Sequence, residues 1–214
     1  MAQQQGRGWW QWWGRLLGRL LGRLFGRPER PAQPSGLAPL SEAALLQLLQ
    51  REGARARRHG QDGVLLMLEL DPWVQLAQRH GQALLDPLSA RLEQLWQQQL
   101  REGDWAQALA RGQWAIYLPC TDALGALDAA ERLRTQVAAL DWRHEQQSVA
   151  LSISVGVACW PHGADWREDP VSPPAHALLQ HSRQALARAR SAGCNCVRSD
   201  APRSSGRYKG TRPA

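Results

Sequence analysis

The hydrophobic and polar positions of this chain fall into alternating blocks of strand and helix period. VLLMLEL at 64–70 is apolar except for Glu69 and has strand length, the pattern of a strand buried on both faces. SVALSISVGVACW at 148–160 alternates and is β-branched in its first half, which predicts a second strand. QWAIYLP at 113–119 predicts another, reached from the short run AQALA through a turn at Arg111-Gly112. Helical blocks lie between. SEAALLQLLQREGARARRHG offers Ser41 as cap and Leu45, Leu46, Leu48 and Leu49 on its apolar side, a helix over about 41–58. LLDPLSARLEQLWQQQL predicts a helix to about 100, with Asp86 as N-cap and Pro87 at the first helical position. TDALGALDAAERLRTQVAAL (121–140) is a further capped helix. PAHALLQHSRQALARARSAG is a final one that ends with Gly193 at the C′ position. Helix and strand interleave, so the expectation is an α/β domain over 60–198, preceded by a connecting helix at 41–59.

The two ends read differently. GRLLGRLLGRLFGR places Arg15, Arg19, Arg23 and Arg27 four apart. On a helix each such step advances about 40° past a full turn, so the Arg row drifts slowly around one side. Leu16, Leu17, Leu20, Leu21, Leu24 and Phe25 cover the other. No apolar stretch approaches the roughly 20 residues of a spanning helix, and the Arg residues would lie at mid-membrane. An h-region broken by Arg every fourth residue does not fit a signal peptide either. The expectation is an in-plane amphipathic helix over 1–27. Residues 7–27 would meet an anionic membrane surface, with Trp9, Trp10, Trp12 and Trp13 at the interface. That predicts a cytoplasmic protein held peripherally on the inner face of the membrane. Residues 28–40 read as a linker and 199–214 as a disordered basic tail.

Charge sharpens this division. The 214 residues carry a net charge of +7. Residues 1–35 hold six Arg against one Glu, and 198–214 hold four Arg and Lys209 against Asp200. The middle of the chain is left slightly negative, which argues against a nucleic-acid-binding core. Cys120, Cys159, Cys194 and Cys196 are too scattered for a zinc site and read as reduced thiols.

In combination, the ordered blocks resemble the GGDEF domain, the bacterial diguanylate cyclase fold. LLMLELDPW is similar to that family's first strand and D-x-D-x-F, and RHGQALLDPLSARL to its Y-G-H-x-x-G-D-x-x-L turn and helix. LSISVGVA followed by Pro161 resembles its S-I-G-V-A strand, and HSRQALARARSAGCNCV its closing helix and G-R-N turn. The resemblance covers about 60–198 and implies a central, mostly antiparallel sheet flanked by helices.

The family's signature letters are absent. Registered on QWAIYLP, the five motif positions are Ala110, Arg111, Gly112, Gln113 and Trp114. In the family, two glycines admit a nucleotide's phosphates and the acidic residues hold Mg²⁺, chemistry that needs hard anionic oxygens. Here Gln113 offers a neutral oxygen and Arg111 a cation, while Glu69 stands where the family has an aspartate. The guanine-reading Asn falls at Ala77, a lysine beside the first strand at Val74, and a phosphate-facing lysine at Arg190; Asp86 matches a second guanine contact. These departures imply lost catalysis, with neither Mg²⁺ nor another cofactor expected.

One motif is retained. Arg101-Glu102-Gly103-Asp104 is the only R-x-x-D in the chain. It ends five residues before the signature positions, where the family carries an inhibitory site for cyclic di-GMP. Arg132 corresponds to a third contact of that site, on the helix after the signature strand. Arg can fork onto guanine O6/N7 or phosphate, and a carboxylate accepts from guanine N–H groups. The resemblance thus implies a cyclic di-GMP-binding effector acting through Arg101, Asp104 and Arg132. It would have a protein partner at the inner membrane and a role in exopolysaccharide production, biofilm or motility. The alternative is a nucleotide-independent, membrane-associated scaffold in which Arg101 and Asp104 form a surface ion pair.

Overall fold

In a computed structural model of the chain, the structure describes residues 39–71, 73–110, 112–144, 147–160 and 174–200, without the side chains of 82 and 83. The helix expected over 1–27 lies outside the described residues. The elements in chain order are α1 (Glu42–His59), β1 (Gly63–Leu70), α2 (Trp73–His80), α3 (Gln82–Gln99), β2 (Trp105–Ala110), β3 (Gln113–Pro119), α4 (Ala123–Ala138), β4 (Trp142–His144), β5 (Gln147–Val149), β6 (Ile153–Cys159), α5 (Pro174–Ser191) and β7 (Val197–Ser199).

Five strands form one sheet in the order β2-β3-β1-β6-β7. All its pairings are antiparallel except β6 with β7. Strand β1 is central, and its alternate residues enter two different cores. Val64, Leu66, Leu68 and Leu70 pack with Leu84, Leu88, Leu92 and Trp96 of α3 and with Ala126, Ala130 and Leu133 of α4. Leu65 and Met67 pack with Leu45 and Leu49 of α1 and Leu178, Leu179 and Leu186 of α5. The apolar run at 64–70, interrupted only by Glu69, follows from helices covering both faces. Helix α5 lies so close to β6 that a Cβ on Gly156 would come within 2.2 Å of the Ser182 carbonyl oxygen.

Two helices are capped where the polar residues predict it. The Ser41 hydroxyl accepts from Ala44 N–H, and the Asp122 carboxylate accepts from Gly125 N–H at 2.8 Å. Gly193, at φ 107°, follows the end of α5.

Three boundaries differ from expectation. Asp86 and Pro87 do not open α3; the helix starts at Gln82, after Gly81, and carries Pro87 inside. One helical hydrogen bond is forgone there, but starting early buries Leu84 and Leu85 completely or nearly so. The expected single strand over 148–160 is two, because the chain leaves β4 as partner and joins β1 at Ile153. Ser199 closes β7, and Asp200 is anchored by its N–H to Val157 O at 2.8 Å and by Arg188 at 2.6 Å, so residues 199 and 200, expected in the tail, pack on the domain. Helix α2, with Leu76 as its buried residue, had no separate signal.

Under α1 the Trp160 indole N–H donates to the buried Tyr117 hydroxyl at 2.8 Å. Burial pushes the Tyr117 phenol up to about 12 from an ordinary 10.0, and the Cys159 thiol up to about 11 from 9.0. Both groups are therefore neutral in the fold at pH values where the unfolded chain ionises them. Their contribution is complete below pH 9.0 and is lost as pH rises through about 12. The melting temperature should fall across that window. Tyr117→Phe should flatten its upper part, while costing about 1–3 kcal/mol at neutral pH because Trp160 loses its acceptor. Calorimetric scans of both chains against pH check this.

Candidate functional site

The hairpin of β2 and β3 carries the five signature positions. Ala110 ends β2 after a bulge, and Gln113 opens β3. Gly112 turns the chain at φ 74°, and a Cβ there would lie 2.6 Å from the Trp73 ring, which covers it. Where the family has its first acidic residue, this chain has an indole seated on bare backbone. Trp114 points into the core, 2% exposed and edge-on to Trp96 with ring centroids 5.9 Å apart. Arg111 lies outside the described residues.

Glu69 sits opposite Gln113 in the β1–β3 register. Its Oε2 accepts from the Gln113 amide nitrogen at 2.8 Å, and the Arg190 guanidinium of α5 approaches Oε1 to 3.3 Å. Two residues on, Asp71 accepts from the Ser152 hydroxyl at 2.8 Å, the Ser154 hydroxyl at 2.5 Å and the Asn195 N–H at 2.9 Å. That carboxylate ties the loop after α5 to the end of β1, a task its place in the D-x-D pattern did not reveal. Among the described residues no three His, Cys, Asp or Glu converge as a metal site. As arranged, Glu69 with an amide N–H and a guanidinium upon it does not fit a divalent cation.

The other sequence-predicted positions separate. Ala77 and Val74 lie on α2, Val74 exposed, and Asp86 is an exposed residue within α3 and not its cap.

Arg101, Asp104 and Arg132 come together. Residues 101–104 form a turn closed twice: Asp104 N–H donates to Arg101 O at 3.1 Å, and the Asp104 carboxylate accepts from Arg101 N–H at 2.8 Å. Asp104 is 8% exposed, whereas the Arg101 and Arg132 side chains are solvent-facing. All three line one open cleft of about 410 Å³, with Gln99, Thr121 and Asp122 among its walls. The Asp104 carboxylate is thus buried and used by its own main chain. Asp62 and Asp122 are also on the cleft's walls, the latter as the cap of α4.

Comparison with known proteins settles the family. The family model for the diguanylate cyclase GGDEF domain matches residues 40–196. The chain belongs to the GGDEF family. As a GGDEF domain it is related to cyclic di-GMP signalling. It is 24% identical over 153 residues to the diguanylate cyclase DgcP of Pseudomonas aeruginosa, a match covering 72% of this chain and 22% of that protein. The chain thus spans about a fifth of that relative's length. The GGDEF domain of DgcB from Caulobacter crescentus, solved in complex with c-di-GMP, superposes with a TM-score of 0.66 at 19% identity, covering 81% of this chain and 98% of that one. The diguanylate cyclase SiaD of Pseudomonas aeruginosa, solved with its activator SiaC, gives 0.64 at 25% identity over 87% and 66%. An active GGEEF domain from Vibrio cholerae gives 0.65 at 19% over 77% and 99%.

These matches overturn the expectation that the chain is not an enzyme. The matching family is that of the diguanylate cyclases, and the proteins it resembles carry that activity in their names. Departures from the family's letters do not establish loss of catalysis.

The seat of Trp73 on Gly112 makes its own demand. Gly112→Ala should destabilise the GGDEF domain by about 1–3 kcal/mol, from positive φ and steric conflict together. The added cost should shrink when Trp73→Ala opens the space. Urea unfolding of the two single variants and the double variant checks this, and additive losses would show that the ring and the turn are independent.

Proposed function

We propose that this GGDEF domain binds cyclic di-GMP in the cleft of Arg101, Asp104 and Arg132. The carrying observation is the convergence of two outward-facing guanidiniums and one buried, pre-oriented carboxylate on a single open cleft. A cyclic dinucleotide presents phosphate and guanine O6/N7 to Arg and guanine N–H donors to Asp. The turn fixes Asp104 before any ligand arrives, so little ordering entropy remains to be lost on that side. The c-di-GMP complex of the DgcB domain supports the ligand class.

Titration calorimetry of the full chain with cyclic di-GMP tests the proposal. Arg101→Ala and Arg132→Ala should each weaken binding about ten- to a hundredfold, the range expected for a lost charge-assisted contact. An intact chain that takes up no ligand would leave the domain as an interaction scaffold, and an Arg101→Ala chain that binds as before would put the ligand outside this cleft.

The Arg-, Leu- and Trp-rich stretch at 7–27 supports attachment of this domain to an anionic membrane surface. The full chain should sediment with vesicles containing anionic lipid, less so at high salt. A chain lacking residues 1–30 should stay in the supernatant; equal sedimentation of the two chains would sink this assignment.

A further inference from the structure

We propose that Arg190 is the resident cation of the Glu69 site and that a divalent cation gains this carboxylate only when the guanidinium is removed. Three elements build the arrangement. Glu69 lies near the end of the central strand, with its side chain only 15% exposed. Gln113, its cross-strand partner, donates its amide N–H to Oε2 at 2.8 Å. Arg190, in the last turn of α5, reaches over both oxygens, Nη1 standing 3.3 Å from Oε1 and 3.4 Å from Oε2.

The donors leave a hard cation no place. Mg²⁺ and Mn²⁺ require several oxygen ligands in a compact shell. Gln113 presents its nitrogen to the carboxylate, so its oxygen is directed elsewhere for as long as that bond holds. A metal entering beside Arg190 would also meet a like charge a few ångströms away. The guanidinium suits the role for three reasons: it is permanently charged, planar, and placed at a helix C-terminus, where positive charge is favoured. The side chain is 55% exposed, so it can leave without opening the core. The inference does not rest on cyclic di-GMP binding in the other cleft.

Manganese binding to the full chain, read as free Mn²⁺ by electron paramagnetic resonance, tests it without reference to activity. The native chain should take up Mn²⁺ weakly. Arg190→Gln, which keeps length and polarity but removes the charge, should bind about tenfold more tightly or better, the like charge being gone. Arg190→Lys should stay near the native value, and Glu69→Ala added to Arg190→Gln should abolish the gain. Gln113→Glu added to Arg190→Gln, which sets two carboxylates opposite each other, should strengthen binding further. A native chain that binds as tightly as Arg190→Gln overturns the proposal. So does an Arg190→Gln chain that is folded by circular dichroism but gains nothing, or a gain that survives Glu69→Ala.

Discussion

Burial of β1 on both faces is the constraint on which the remaining structure depends. Leu66, Leu68 and Leu70 face the layer of α3 and α4, and Leu65 and Met67 face that of α1 and α5. A strand so enclosed has no solvent side, so helices must cover each face and partners must pair along both edges. Strands β3 and β6 supply those partners over the length of β1. Polar chemistry is consequently displaced to the strand's ends. Glu69 with Gln113 lies at one end, while Leu118, paired with Val64 at the other, lines the cleft of Arg101 and Arg132.

The two ends use charge in opposite ways. At Glu69 the carboxylate is largely buried and its oxygens are met from within, by an amide and by a guanidinium from α5. At the cleft it is the cations that face open space, and the buried carboxylate is held by its own turn. A partly buried anion must be compensated, and the fold does this with residues 44 and 121 positions away. Exposed guanidiniums carry no such obligation.

Close packing brings these groups to their places. The approach of α5 to β6 over Gly156, with Asp71 tying down the loop after α5, sets the height and angle at which Arg190 arrives. On the same side, Trp160 and the Tyr117 hydroxyl hold α1 down, Gly53 of α1 lying against the Trp160 ring. These contacts leave little slack, as expected of interiors packed like organic crystals.

The sequence by itself determined whatever depends on neighbours in the chain. Ser41 and Asp122 cap their helices, Gly193 follows α5, and the run at 64–70 is a doubly covered strand, because capping and periodicity are local properties. The R-x-x-D turn was legible for the same reason: its two closing bonds span three residues. The start of α3 was not, because burial of Leu84 and Leu85 outweighed the cap-and-proline signal at Asp86 and Pro87. Missing signature letters misled about activity, since letters report what side chains are present and not what a site does. The tertiary structure alone decided that Trp73 covers Gly112, that Arg190 faces Glu69, and that Arg132 shares a cleft with Asp104. Hydrophobic pattern says that a residue is buried or exposed, but which distant element meets it is set by sheet order and register, and these exist only once the chain has closed on itself.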